Sequence, residues 1–116
     1  MGVTITIWFN PRCSKCRDTL ALLEAEGIEP EVRRYLEDPP NEYEIRDAID
    51  KLGLPVSEVI RPGEPAFQDM ALSEDADPDL LIAAMAENPG LIERPIVFRG
   101  DRAVIGRPPR KVLDLL

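Results

Sequence analysis

The stretch TITIWFNPRCSKCR, residues 4–17, decides the fold and carries the chemistry of this 116-residue chain. Its first six residues are β-branched or aromatic, and they end at Asn10-Pro11, which is typical of an interior strand entering a turn. Cys13 and Cys16, the only cysteines, follow at once. A C-x-x-C pair at the point where a strand ends predicts either redox chemistry or a metal site.

A helix is expected over residues 14–26, because apolar residues recur there at helical spacing until Gly27. Cys13 then lies at the first turn, where unpaired N–H groups and the helix dipole favour a thiolate. The chain has no histidine to act as a base. We therefore expect the helix, together with neighbouring cations such as Arg12 and Arg17, to lower the pKa of Cys13 from about 8.5.

Composition restricts the class of protein. Acidic residues outnumber basic ones by 22 to 14, for a net charge of −8, which argues against a nucleic-acid partner. No apolar run approaches the roughly 20 residues of a membrane span, and the N-terminus lacks the pattern of a signal peptide. We therefore predict a cytoplasmic protein with no membrane partner. There, a C-x-x-C pair indicates transient redox chemistry, and two cysteines without histidine are too few for zinc.

The order of the predicted elements indicates the fold. After the first helix we expect, in order, a strand over residues 31–36, a helical insertion over 39–92, a hairpin over 95–105 and a closing helix over 109–116. Within the insertion, Asn41 and Gly53 are placed to cap a helix over residues 43–52. This order predicts an α/β, thioredoxin-like fold, with a mixed four-stranded sheet, flanking helices and an inserted helical segment. We expect one domain over residues 1–116.

Three arginines lie at boundaries between these elements, each directly before a proline: Arg61, Arg94 and Arg107. An arginine taken alone is most often a surface charge. Six others are predicted as such, with Arg12 also close enough to the thiol to affect it: Arg12, Arg33, Arg34, Arg99, Arg102 and Arg110. Arg94 and Arg107, however, adjoin strands that would lie beside the cysteine loop. Guanidinium groups converging on a thiolate would hold a tetrahedral oxyanion such as arsenate or phosphate.

Several pieces of the sequence resemble the glutaredoxin-like arsenate reductase family. They are residues 10–20, 35–37, 93–97 and 106–109, the last followed by Val112-Leu113-Asp114. The pieces occur in the family's order and spacing, over essentially the whole chain. The resemblance implies reduction of arsenate to arsenite without a bound cofactor. It also implies an external thiol donor, either glutathione with glutaredoxin or thioredoxin, and we expect a monomer.

The roles of individual residues carry over from the resemblance by position. Cys13 would attack arsenate to form a thiol-arsenate ester, whose oxygens the three arginines just named would bind. Pro95 would follow a cis peptide bond. The supporting positions are Asn10, Arg12, Arg17 and Pro95.

Two positions depart from the family pattern. Phe9 stands where members often have histidine, so any hydrogen bond assigned to that side chain is lost. Cys16 stands where the best-known members have serine or another residue and rely on glutathione and glutaredoxin. Cys16 could instead resolve the intermediate by closing a disulfide with Cys13, or it could pack in the core beside Leu20.

Two other functions share the C-x-x-C motif. The Spx-type regulators, which bind RNA polymerase and sense disulfide stress, resemble this chain in the cysteine motif and in the Arg-Pro-Ile segment. Arg107, with its Gly-Arg-Pro-Pro segment, favours an anion site instead, and we expect the short C-terminus to leave no room for a regulatory tail. A general dithiol oxidoreductase would need a peptide groove but no set of arginines.

Overall fold

The computed structural model describes residues 4–116, which divide into two compact units. The first unit comprises the chain up to Asp38 together with Arg94–Leu116, and the second comprises Pro39–Glu93. All four strands belong to the first unit, and the helical insertion expected over residues 39–92 falls on the second. That the whole chain forms one domain stays a prediction.

A four-stranded mixed sheet organises the first unit, with the strand order β2-β1-β3-β4. Its strands are β1 (Ile5–Trp8), β2 (Glu31–Arg33), β3 (Ile96–Arg99) and β4 (Arg102–Ile105). β1 runs parallel to β2 and antiparallel to β3, and β3 and β4 form the predicted hairpin around Gly100-Asp101. This arrangement confirms the predicted α/β fold class.

β2 is shorter than the strand predicted over residues 31–36. The carbonyl of Arg34 accepts hydrogen bonds from the N–H groups of Glu37 at 3.0 Å and Asp38 at 2.9 Å, which closes a turn. The turn takes Tyr35 out of the strand, yet the Tyr35 side chain is buried. The apolar character of this segment therefore serves core packing beyond the strand end.

The first helix, α1 (Ser14–Ala25), connects β1 to the parallel strand β2 and ends at Gly27 as predicted. Gly27 has a φ of 78°, and its N–H bonds the carbonyl of Glu24 at 3.0 Å. The N–H of Ile28 bonds the carbonyl of Leu23, also at 3.0 Å. This pair of bonds is a Schellman ending, which requires a left-handed residue and so favours glycine.

The core of the first unit joins α1, the central strands and a C-terminal 3-10 helix, Pro109–Leu115. Its buried members are Ile5, Ile7, Phe9, Cys13, Cys16, Leu23, Val97, Val112 and Leu115. Both cysteines are thus part of the core. The closing helix predicted over residues 109–116 is a 3-10 helix, with bonds such as that from the N–H of Lys111 to the carbonyl of Pro108 at 3.0 Å.

Two arginines predicted as surface charges hold this 3-10 helix. Arg99 Nη1 donates to the carbonyl of Leu115, and Arg102 Nη2 donates to the carbonyl of Asp114, each at 2.7 Å. The two carbonyls are at the helix end, where no backbone N–H is left to bond them. Arg102 is exposed, as predicted, whereas Arg99 is half-buried, so the prediction was wrong for Arg99. The packing of the strands against the 3-10 helix is a tertiary contact without a local sequence signal.

The second unit consists of short helices. They are α2 (Glu42–Leu52), α3 (Pro65–Asp69) and α4 (Pro78–Glu87), with 3-10 turns at Val56–Glu58 and Pro89–Leu91. The predicted caps of α2 are confirmed: Asn41 and Glu44 form a capping box, and Gly53 is left-handed with a φ of 67°. In residues 4–116, the helices lack the length and apolar character that crossing a bilayer requires.

Candidate functional site

The loop after β1 presents Cys13 at the start of α1. The N–H of Cys13 donates to the carbonyl of Asn10 at 3.0 Å, which closes a tight turn with Pro11 at its second position. The Asn10 side chain secures the same turn, because its Oδ1 accepts from the N–H of Arg12 at 3.0 Å. Cys13 itself has an extended backbone, with φ −95° and ψ 119°, and serves as the N-cap of α1.

The two thiols differ in access to solvent. Cys13 is 7% exposed, whereas Cys16 has no exposed surface, and both are reduced. Because α1 places them three residues apart, their side chains share one face of the helix. The Cys16 thiol donates a hydrogen bond to Cys13. Reagents from solvent can therefore meet Cys13 first.

Opposing influences act on the pKa of Cys13, and the result is a lowered pKa. Burial acts to raise it. The backbone N–H of Cys16, the hydrogen bond from the Cys16 thiol, the charge of Arg94 and the backbone N–H of Lys15 outweigh burial. The contribution of the first turn of α1 agrees with the expected helix effect. Arg94 supplies positive charge that the sequence-based interpretation assigned to Arg12 and Arg17.

Burial raises the pKa of Cys16 to about 12. This pKa also includes a lowering effect of the hydrogen bond from the backbone of Asn10 and of the charge of Arg94. The hydrogen bond to Cys13 and the charge of the Cys13 thiolate act in the same direction as burial. Cys16 is therefore protonated at neutral pH, while the surroundings of Cys13 favour its thiolate form. The two thiols thus differ in how readily they lose a proton.

Two of the three predicted arginines lie at Cys13. Arg107 Nη2 is 3.7 Å from Cys13 Sγ and donates to it, and Arg107 Nε donates to the carbonyl of Arg94 at 2.7 Å. Arg94 acts on the Cys13 thiolate through its charge. The Arg94–Pro95 bond is cis, as the resemblance implies, and so is the Arg107–Pro108 bond.

Arg61 belongs to the second unit. Its Nη1 donates to the carbonyl of Gly90 at 3.0 Å and lies 3.2 Å from a carboxylate oxygen of Glu64. Its backbone N–H bonds the carbonyl of Leu91 at 2.8 Å. These contacts fix the guanidinium within its own unit, and its convergence on Cys13 stays a prediction.

Arg17 and Arg12 have different places beside the loop. Arg17 Nη1 donates to the carbonyl of Pro11 at 2.8 Å, so Arg17 braces the turn. Arg12 is exposed and lines a cleft of about 210 Å³. The cleft is lined by Phe9, Asn10, Pro11, Arg12, Arg34, Leu36 and Glu37.

Arg34 was predicted as a surface charge; it is exposed, and it lines this cleft beside the cysteine loop. Arg34 directly follows β2, and the cysteine loop follows β1. Because these strands are parallel, their carboxyl ends meet at the same edge of the sheet. The strand predicted over residues 31–36 contained Arg34, so its place at this edge became visible only when β2 was found to end at Arg33. Within residues 4–116, no group of three or more cysteine or carboxylate side chains is suited to hold a metal ion.

Comparisons with known proteins agree with this geometry. The family model described as "ArsC family" matches residues 8–115. An uncharacterized protein in the glnII region of Streptomyces viridochromogenes is 47% identical over 115 residues, which cover 95% of this chain and 97% of the relative. An arsenate reductase of Haemophilus influenzae is 40% identical over 116 residues, which cover 98% of this chain and all of the relative.

A solved structure, an arsenate reductase from Vibrio cholerae, is similar along its entire length. It is 44% identical to this chain, with a TM-score of 0.95 and complete coverage of both chains. A family match that spans nearly the whole chain, together with relatives 40% or more identical over almost their full length, establishes the relationship. This chain belongs to the ArsC family.

Proposed function

We propose that this protein reduces arsenate to arsenite with Cys13 as the nucleophile. The observation that carries the proposal is the 3.7 Å contact between Arg107 Nη2 and the sulfur of the N-cap cysteine. A thiolate and a guanidinium held together bring a nucleophile and an oxyanion-binding group to one point. Relatives at about 40% identity named arsenate reductase support this substrate.

In the first step, the Cys13 thiolate attacks the arsenic of arsenate. A sulfur–arsenic bond forms and one arsenic–oxygen bond breaks, with the oxygen leaving as water after protonation. Arsenic stays in the +5 state. Arg94 and Arg107 stabilise the negative charge on the remaining oxygens, and Arg61 is the proposed third contact.

In the second step, Cys16 resolves the ester. Its sulfur, after losing its proton, attacks Cys13 Sγ, so that a disulfide forms and the sulfur–arsenic electron pair returns to arsenic. Two thiols are oxidised and arsenic is reduced to the +3 state, which leaves as arsenite. Ester formation consumes the Cys13 thiolate, whose charge is one cause of the raised pKa of Cys16. Cys16 thus becomes easier to ionise after Cys13 has reacted.

Arg107 is expected to bind the oxyanion. Arg107→Ala should raise the KM for arsenate or lower kcat/KM by roughly 10-fold or more, because a charge-assisted contact contributes about 1.5–3 kcal/mol. Arg107→Lys should recover only part of the loss, since lysine lacks the planar fork. Arg110→Ala, on an exposed arginine of the neighbouring 3-10 helix, is the matched control. Wild-type kinetics in Arg107→Ala would show that Arg107 does not bind the oxyanion.

The cleft beside the loop is the proposed entry for the external thiol that reduces the disulfide. Arg12 and Arg34 offer two exposed guanidiniums there, and Leu36 adds an apolar wall. Arg34→Ala should therefore raise the KM for glutathione, an anionic thiol, and leave the KM for uncharged dithiothreitol unchanged. An equal effect on both donors, or none on either, would contradict this entry route.

The function is tested by arsenite formation in a coupled assay. Purified protein is supplied with arsenate and either a thioredoxin system or a glutathione–glutaredoxin system. Turnover with one of them is expected, and the preferred system identifies the donor. Absence of arsenite with both would remove the proposed activity.

A further inference from the structure

Gly106, the residue before Arg107, is closely packed on two sides. A Cβ built on Gly106 would lie 2.6 Å from Oγ1 of Thr19 and 2.9 Å from Cγ of Pro95. Real Cβ atoms essentially never make contacts under 3.0 Å, so any side chain at this position would force its neighbours apart. Close approach, and not a left-handed φ, is the reason for glycine here.

Thr19 is a fixed wall on the α1 side of this contact. It is fully buried, and within the described residues its hydroxyl has no hydrogen-bond partner. Both branches of the side chain face Gly106, since Cγ2 would lie 3.2 Å from the added Cβ. Because Thr19 is fully buried and presents both branches to Gly106, it leaves no room for an added Cβ. Thr19 shares its helix face with Cys16, three residues earlier.

The packed glycine connects directly to the arginines at the thiol. The N–H of Gly106 donates to the carbonyl of Pro95 at 2.9 Å. The adjacent residues, Arg107 after Gly106 and Arg94 before Pro95, are also bonded: Arg107 Nε donates to the carbonyl of Arg94 at 2.7 Å. Arg107 Nη2 also reaches Cys13 Sγ. Displacement of Gly106 from Thr19 and Pro95 would therefore move both guanidiniums relative to the sulfur.

We propose that the contact of Gly106 with Thr19 and Pro95 positions Arg94 and Arg107 around the Cys13 thiolate. Thr19 and Gly106 are then positioning residues, which act through the arginines and do not touch the reacting atoms. The proposal concerns the electrostatic environment of Cys13, so it holds whatever oxyanion the site reduces.

Alkylation of Cys13 tests this role without arsenate. The ratio of its rate constants with anionic iodoacetate and neutral iodoacetamide reports the positive charge around the sulfur. Gly106→Ala should lower this ratio by about threefold or more, and should shift the pH profile of alkylation to higher pH. Gly63→Ala is the matched control, because a Cβ at Gly63 meets no atom within 4 Å.

A double variant distinguishes an effect on the position of the arginines from a general loss of stability. In the double variant Thr19→Ala, Gly106→Ala, the loss of Oγ1 and Cγ2 from Thr19 opens space on the α1 side. The new methyl group can shift into this space, away from Pro95 Cγ. We expect the double variant to recover most of the wild-type ratio and pH profile, which a loss of stability alone would not produce. A folded Gly106→Ala protein with the wild-type ratio and profile would overturn the proposal. If Gly106→Ala alone does not fold, a folded double variant with a low ratio overturns it.

Discussion

The pKa of Cys13 depends in part on the second cysteine, Cys16, which lies three residues later on α1. Cys16 is buried and hydrogen-bonded to Cys13, and this difference in environment shifts the pKa values of two identical thiols in opposite directions. The position of Cys13 at a helix start was predictable from the C-x-x-C motif after a strand. The contribution of Arg94 was not, because it depends on how the loop before β3 packs against α1.

The pKa of Cys13 is predicted to be below the ordinary value of about 8.5. The pH dependence of its alkylation by iodoacetamide measures this directly. Cys16→Ala should raise the pKa of Cys13 by removing a hydrogen-bond donor, whereas Cys16→Ser should raise it less because the hydroxyl still donates. A pKa at or above 8.5 in the wild-type protein would contradict the proposed activation.

Cys16 is predicted to make the fold sensitive to alkali. Between an unfolded pKa of about 8.5 and a folded pKa of about 12, the folded state retains a proton that the unfolded state has lost. Stability therefore falls as pH rises through this window, by at most about 1.4 kcal/mol per pH unit. Urea denaturation of wild type and Cys16→Ser at pH 8 and pH 10 isolates the effect. Equal losses in both proteins would show that Cys16 ionises normally.

At the level of secondary structure, most elements followed from local signals. The caps of α1 and α2 were visible as Gly27, Asn41 and Gly53, because capping depends on nearby residues. The end of β2 could not be predicted from the sequence, because residues 34–36 have a composition that suits a strand. In the structure they form a turn closed by hydrogen bonds to the carbonyl of Arg34. The 3-10 form of the last helix also depends on partners that are distant in sequence.

The hydrogen bonds from Arg99 and Arg102 to the C-terminal 3-10 helix predict how much this helix depends on them. Arg99→Ala should lower the free energy of unfolding by about 1.5 kcal/mol, because the half-buried carbonyl bond at 2.7 Å is lost. Val112 and Leu115 of this helix share a core with Cys16, so the fold around the thiols depends on it. Arg110→Ala, on the same helix, should leave stability within about 0.5 kcal/mol of wild type. Chemical denaturation compares wild type with the two variants. Equal stability of all three proteins would show that the Arg99 bond does not stabilise the helix.

At the scale of the whole molecule, charge is divided unequally between the two units. Residues 39–93 carry 13 acidic and 3 basic side chains, for a net charge of −10, whereas the rest of the chain carries 9 acidic and 11 basic side chains, for +2. The net charge of −8 therefore conceals a weakly basic unit that contains the thiols. The sequence predicted cations near the cysteines, but the division of charge between two units required the structure.

The charge of the second unit predicts a salt effect on stability. Like charges concentrated in 55 residues repel, and salt screens exposed charges beyond roughly 10 Å at 0.1 M. The melting temperature should therefore rise by a few degrees between low and moderate NaCl concentration. The double variant Glu74→Gln, Asp75→Asn, which neutralises two exposed carboxylates, should show a smaller rise. A melting temperature that falls with salt would show that attractive ion pairs dominate.

A single-turnover reaction tests the central claim most directly. Reduced protein is mixed with arsenate without any external thiol, quenched in acid, and assayed for arsenite and, by mass spectrometry, for the Cys13–Cys16 disulfide. We predict one arsenite for each disulfide formed, and neither product from Cys13→Ser. Recovery of the fully reduced dithiol, with no arsenite and no arsenylated Cys13, would contradict the account.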